Sequence, residues 1–279
     1  MKMLKRFQRF VKTPTGIVGL VLIILYCTMS LLAPLIAPYD PYQMHYQFRL
    51  HPPCRQFLLG TDQFGRDMLS RVLFGARLSL ILSLVSTTIG AVLGTLLGVI
   101  AGYLGSYLDA VIMRFIDILL TFPPILTALI IASLRGGGLS NVVIGIAIAF
   151  TPIFARMIRG AVLIVKEEDF VQAAKALGAS NLRIMLHHVL PNVASVIIVQ
   201  FSLACSWAIL LEATLSFLGF GVSPPTPSLG LMISEGRKTM EFAPWLIIYP
   251  GAVIMIAVLG INIMGDRLRD ILDPRLRGV

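Results

Sequence analysis

Charge is what this chain has least of. Only 13% of its 279 residues are charged, against 57% hydrophobic, a composition that excludes a soluble domain. Cysteine is scarce as well. Cys27 and Cys205 sit in hydrophobic runs and read as packing residues, while Cys54 lies in a loop with no evident disulfide or metal partner. Cysteine usage therefore leaves the redox compartment open. None of the six lysines follows a glycine, so no phosphate-cradling loop can be assigned. Neither H-E-x-x-H nor G-x-S-x-G occurs, and the hydrolytic chemistries built on them go too. His45 and His51 share a loop with Cys54, but their spacing is not that of a zinc site. His187 and His188 are adjacent, so they point to different helix faces. No catalytic residue and no metal ligand is assigned. The formal net charge is +9, yet no basic run is interleaved with aromatics. Nucleic acid is thus a poor partner, and the cations first mark membrane topology.

Apolar sequence is what the chain has in abundance. It comes in runs of about 20 residues, the length a helix needs to cross a bilayer, and six such spans are expected. Residues 1–15 carry Lys2, Lys5, Arg6, Arg9 and Lys12 with no acid; a first span over 16–37 follows. A cleavable signal peptide shares this basic start. Here the apolar run is too long, and Pro34 and Pro38 replace a small-residue cleavage site, so the helix reads as retained. Residues 38–77 form the longest polar interval. The second span, from 78 to 104, places Gly90, Gly94, Gly98 and Gly102 on a ridge suited to close helix packing.

Residues 109–134 begin polar and end apolar. Arg114 and Asp117, three apart, are expected to pair with each other. Pro123 and Pro124 should kink or begin the third span. A fourth span starts near Val142, contains Pro152 and ends near Arg156 and Arg159. The fifth covers 193–211, with Glu212 at its far end; a carboxylate there draws functional interest, and helix-end packing is the favoured role. Residues 223–230, S-P-P-T-P-S-L-G, cannot form regular helix. The sixth span covers 245–264, with Trp245 as an interfacial anchor, and a charged tail occupies 266–279.

Two polar stretches stand out. The first is L-L-G-T-D-Q-F-G-R-D-M-L-S-R-V-L-F-G-A-R-L-S-L over 58–80. Asp62 and Asp67 are metal-ligand types, but Arg66 between them opposes a bound cation, and a salt-bridged structural loop is the better reading. The second is D-F-V-Q-A-A-K-A-L-G-A-S-N-L-R-I-M-L-H-H-V-L-P-N over 169–192. Phe170, Ala173, Ala174 and Leu177 fall on one helical stripe. Gly178 ends that helix in the left-handed region. Ser180 caps a second helix, with Leu182, Met185, Leu186, Val189 and Leu190 as its apolar face, and Pro191 is expected to stop it. The plainest reading of the pattern is an amphipathic hairpin lying on the bilayer.

A more specific reading rests on resemblance. Ala173-Ala174, Gly178 four residues on, and Leu190-Pro191 twelve further resemble the EAA loop of ABC importer permeases. Gln172 stands where that family often has Glu, and His188 where it often has an aliphatic residue. Gly60, Thr61, Asp62, Gly65, Arg66 and Asp67, continued by Ser70, Arg71, Gly75, Arg77 and Ser79, resemble the signature of dipeptide, oligopeptide and nickel permeases of the second-permease type. The segment over 212–221, E-A-T-L-S-F-L-G-F-G, also resembles a recurring one in that family.

The resemblance implies an all-α integral membrane protein with the six-helix transmembrane domain of a type I ABC importer. It implies a permease core over 78–265 and a cytoplasmic coupling loop over 166–192. In that loop Gln172, Ala173, Ala174, Lys175, Leu177, Gly178, Leu190 and Pro191 serve ATPase coupling. The chain itself is expected to be non-catalytic and to bind no cofactor, with ATP and Mg on separate partners. Those partners are two ABC ATPase subunits, a second homologous permease and an extracytoplasmic substrate-binding protein. The expected location is the cytoplasmic (inner) membrane with both termini inside. Fifteen of the 23 Lys and Arg fall on the assigned inside, as the positive-inside rule requires. Di- or oligopeptides are the expected cargo, with nickel chelates or glutathione-like molecules as alternatives, and no substrate-binding residue is named. An ion-coupled secondary transporter would need coupling residues near the bilayer midplane. Glu212, Asp117 and Arg114 are read as lying nearer helix ends.

Overall fold

The computed structural model describes residues 14–272. The basic residues of the N-terminus up to Lys12, and Arg275 and Arg277 of the tail, lie outside them. All described regular structure is helical. Five helices are long and apolar enough to cross a membrane, and a bent pair supplies a sixth crossing.

Helix α1 (Pro14–Leu31) is followed by the short α2 (Ala33–Ile36). A loop segment with one 3-10 turn (Tyr46–Phe48) then leads to α3 (Met68–Leu104). The expected loop over 38–77 therefore ends ten residues early, because Asp67 caps the helix: its Oδ2 accepts from the Ser70 amide at 2.8 Å and the Ser70 hydroxyl at 2.7 Å. An N-cap carboxylate satisfies amides that the first turn leaves unpaired. At the other end, Gly105 and Ser106 take positive φ values of 65° and 51° and turn the chain into α4 (Ser106–Leu120). Helix α5 (Pro124–Arg135) is bent from α4 by 86°. The two prolines thus break the third crossing rather than kink it, since neither can donate to the previous turn.

The expected Arg114–Asp117 pair does not form. Both aspartates of α4 instead reach α6 (Leu139–Val165), where Asp117 pairs with Arg156 and Asp109 with Arg159. Helix α6 passes through both arginines and continues six residues beyond Arg159. It lies along the glycine ridge of α3. A Cβ at Gly90 would fall 2.9 Å from the Ala147 carbonyl, at Gly98 2.7 Å from the Ala155 carbonyl, and at Gly102 2.9 Å from Val162 Cβ. Removing side chains lets the backbones touch, which is how helices gain dispersion contacts in lipid.

Next come α7 (Asp169–Ala176) and α8 (Asn181–Ile184). A π turn (Met185–Val189) then runs directly into α9 (Leu190–Phe217). Pro191 does not stop the helix, contrary to expectation. The Leu190 amide bonds the Met185 carbonyl five residues back, and the widened turn places the proline in the first turn of α9, where a missing N–H costs least. Asn181–Phe217 thus forms one 37-residue rod. After a proline-rich loop come α10 (Leu229–Gly236), a 3-10 turn (Arg237–Thr239) and α11 (Trp245–Leu272). Helix α11 continues through the first residues expected in the tail.

Contacts fix the two ends of the bundle. Arg267, late in α11, donates to the hydroxyl of Thr15 at the start of α1. The Trp245 indole, at the start of α11, donates to the Thr61 carbonyl at 3.1 Å. One end is therefore capped by the 38–67 loop, and the other carries the α7–α8 hairpin.

Candidate functional site

At the hairpin end, Gly178 takes φ +79°, the left-handed conformation expected of it, and its Cβ position is open space. The turn needs glycine for its backbone and not for room. The Ser180 hydroxyl accepts from the Arg183 amide at 3.4 Å. Helix α7 buries Val171 and half-buries Ala174 against Ile184, Val189 and Val193. The expected stripe is thus split, with Ala174 turned inward and its other members outward. Phe170 and Ala173 are exposed, and Leu177 is 88% exposed. On the second helix Ile184 is the buried anchor, while Leu182 and Leu186 face outward.

Of the residues expected to couple to an ATPase, Gln172, Ala173, Lys175, Leu177 and Gly178 gather on this outer surface. The Gln172 side-chain amide donates to the Lys166 carbonyl at 2.9 Å. Gln172 and Lys175 border a polar recess with Lys166, Glu167, Tyr103 and Asn181. Leu190 stands apart, packed in the apolar cluster beneath, and Pro191 is exposed on α9.

At the loop end, the signature residues form a buried ionic knot. Asp62 Oδ1 accepts from the amides of Phe64 and Arg66 at 2.8 and 2.9 Å, and Oδ2 takes Arg66 Nε at 2.6 Å. Arg71 Nε lies 3.5 Å from the same oxygen, and Glu235 of α10 approaches both guanidinium groups at 3.7 and 3.9 Å. Arg71 also donates to the carbonyls of Pro41 and Pro225, tying the 38–67 loop to the proline-rich loop ahead of α10. Burial pushes the Glu235 carboxyl upward; Arg71 and Arg66 oppose that, and Asp62 adds to it. The Thr61 hydroxyl donates to the Phe48 carbonyl and accepts from the His51 amide. Gly65 approaches the His45 carbonyl so closely that no Cβ fits, and a Cβ at Gly60 would fall 2.7 Å from the His51 carbonyl and 2.9 Å from the Trp245 indole nitrogen.

A second polar centre lies inside the bundle. Glu212 is 0% exposed; it accepts from Ser79 at 2.5 Å, Ser216 at 2.9 Å and Ser228 at 3.0 Å. It has the packing role expected of it, but α9 runs five residues past it, so the carboxylate sits within the helix where α3 and α9 meet and not at a helix end. Ser79 belongs to the signature read from the sequence; Ser216, Ser228 and Glu235 were not singled out. Ser216, at i+4 from Glu212, was legible by helical spacing.

The opposite face of α9 is uncovered. Gln200, Leu203, Trp207, Leu210 and Thr214 line a cleft of about 550 Å³ with Phe150, Ile153, Pro124 and Ile125. Trp207 is 61% exposed there. Of these residues the sequence reading named only Pro124, as a break in the third span, although the seven-residue spacing of Gln200, Trp207 and Thr214 places them on one helical face.

Six crossings, the third one broken, with an α-hairpin at one end and an open cleft along one face define the transmembrane domain of a type I ABC importer. The same fold occurs in inward-facing structures of the MetNI methionine ABC transporter, with a TM-score of 0.61 at 18% identity over 74% of this chain and 98% of that one. The chain belongs to the family of binding-protein-dependent transport system inner membrane components, whose model matches residues 94–278. Residues 3–53 match the N-terminal transmembrane domain of oligopeptide transport permease C.

Among its relatives is the di/tripeptide transport system permease protein DppC of Pseudomonas aeruginosa, 44% identical over 98% of this chain and 93% of that protein. The dipeptide transport system permease protein DppC of Alkalihalophilus pseudofirmus is 43% identical over 97% and 89%. The glutathione transport system permease protein GsiD of Shigella flexneri is 41% identical over 98% and 90%. The protein is thus a multi-pass inner-membrane permease subunit of an ABC importer.

Proposed function

We propose that this permease moves di- and oligopeptides into the cytoplasm as one half of a heterodimeric channel. Its hairpin takes up the motion of two separate ATPase subunits, which hold the ATP and Mg. An extracytoplasmic binding protein delivers the cargo to the 38–67 end, and both termini lie in the cytoplasm. The observation that carries the reading is the outward apolar stripe of Phe170, Ala173 and Leu177, set on a helix whose other face is anchored in the bundle. An exposed apolar stripe with a polar rim marks a protein contact, and helix-in-groove docking uses this i, i+3, i+7 pattern. Closing the ATPase dimer would shift α7, and the continuous rod from Asn181 to Phe217 would carry that shift through the membrane.

The peptide cargo is supported by the relatives named for dipeptides and tripeptides. The glutathione relatives fit the same class, glutathione being itself a tripeptide. The location of the termini is supported by the Arg267–Thr15 contact, which sets the first and last helices side by side at one end, and by the all-basic charge of residues 1–15, which favours the cytoplasmic side. Mild-detergent purification of the tagged chain from its native membrane, followed by mass spectrometry, tests the assembly. Walker-A ATPases and a related six-span chain should accompany it. Recovery of this chain alone, under conditions that preserve a known ABC complex, would overturn the proposal.

A further inference from the structure

Helix α9 has two polar faces with different settings. Glu212 points into the bundle and is fully partnered by hydroxyls. Gln200, Trp207 and Thr214 point out of it into the cleft. Seven residues is nearly two turns, so the three stand one above another, about 10.5 Å apart. Past the hairpin the rod runs from Leu190 to Phe217, and Gln200 and Trp207 lie on either side of the middle of that stretch. Among the described residues its amide and the Trp207 indole nitrogen have no hydrogen-bond partner, whereas the Thr214 hydroxyl donates to the Leu210 carbonyl at 2.7 Å and keeps its oxygen free to accept.

A primary amide and an indole N–H turned toward lipid at mid-membrane would be left unsatisfied, at a cost that selects against such placement. Trp is favoured in membranes at the interfaces, not the centre. These side chains therefore face a polar neighbour, and at the seam of a two-permease channel that neighbour is the pathway water, the cargo or the second permease, which the labelling below tells apart. The rest of the cleft wall is apolar, and no charged side chain lines it. A neutral wall holds a dipolar cargo without trapping it, since transit requires binding weak enough to release.

Building on the peptide-importer reading, we propose that Gln200, Trp207 and Thr214 form a neutral hydrogen-bonding ladder. Along it the backbone amides of a passing peptide are handed from one rung to the next. Gln200 both donates and accepts, Trp207 donates and offers its ring face, and Thr214 accepts. Side-chain identity of the cargo plays no part in these contacts, so a single wall serves many peptides.

The test uses the whole complex in proteoliposomes, with Cys27, Cys54 and Cys205 of this chain replaced by Ala. Gln200→Cys, Trp207→Cys and Thr214→Cys should each react with a membrane-impermeant maleimide, as read on the separated chain, and an excess of dipeptide with ATP should slow the reaction. Val21→Cys, at a position 55% exposed on α1, is the lipid-facing control and should stay unlabelled. Gln200→Leu and Trp207→Phe should each lower ATP-driven dipeptide uptake roughly fivefold, the size of one lost hydrogen bond. Stimulation of ATP hydrolysis by the binding protein should persist in both. If the wild-type complex takes up no peptide, the importer reading fails, whatever the labelling. If it takes up peptide while the three cysteines stay inert, or while both substitutions leave uptake unchanged, the ladder is wrong. Should one cysteine variant fail to assemble, the other two decide.

Discussion

Ser79 and Glu212 lie 133 positions apart in the chain and meet in a 2.5 Å hydrogen bond inside the bundle. Two further hydroxyls, from Ser216 on the same helix and Ser228 ahead of α10, complete the shell around the carboxylate. The knot joins α3, α9 and the start of α10. Glu212→Leu would strand three buried hydroxyls. A loss of about 3 kcal/mol is expected, read as a lower unfolding temperature of the purified complex. Ser79→Ala should cost about 1 kcal/mol.

The ionic knot of the loop end is expected to be sensitive in an unequal way. Asp62 bonds Arg66 at 2.6 Å, whereas Glu235 stands off at 3.7 Å. Asp62→Ala leaves two buried guanidinium groups without their main partner and should cost about 3–5 kcal/mol. Limited proteolysis should then cut within 38–67 in the variant and spare the wild type.

Glu235 gives a dependence on pH. Burial raises its carboxyl above the ordinary glutamate range, so the folded state binds its proton more tightly than the unfolded chain does. Stability from this group is therefore fully present below the unfolded pKa and declines as pH rises through the folded one. Glu235→Gln should raise the unfolding temperature at neutral pH, and the gain should vanish as the pH is lowered toward 4.5. A variant less stable than wild type at neutral pH would reverse the sign.

The glycine ridge carries a packing prediction. A Cβ at Gly94 would run into the Phe154 Cβ and the Thr151 carbonyl, and backbone cannot yield as a flexible side chain can. Gly94→Leu should destabilise the complex by about 1–3 kcal/mol or more and lower its yield. Gly160→Ala, where nothing lies within 4 Å, should be neutral.

Much of this was legible because it is local. The apolar runs, the ridge of Gly90 to Gly102 and the left-handed Gly178 follow from spacing and backbone sterics alone. What the sequence hid depends on partners far along the chain. The first ten residues of α3 looked like loop because Arg71 and Arg77 broke the apolar run, yet Arg71 is buried against Asp62 and Glu235. Asp117 had a suitable arginine three residues away and chose Arg156 instead. Pro191 read as a stop, and only the π turn before it explains why the helix continues. The stripe of Phe170, Ala173 and Leu177 falls on one helix as its spacing required, but periodicity could not tell that Ala174 would turn inward while the other three stay uncovered. The cleft residues went unread because their spacing is shared with ordinary packing faces.

The most direct test of hairpin coupling places a photo-crosslinking amino acid at position 177 in the assembled complex. Leu177 is 88% exposed at the end of the stripe. Irradiation should join this chain to an ATPase subunit, and the yield should change when ATP is added. Crosslinks to lipid alone, in a preparation where the ATPases co-purify and hydrolyse ATP, would place their dock elsewhere and contradict the coupling role of the hairpin.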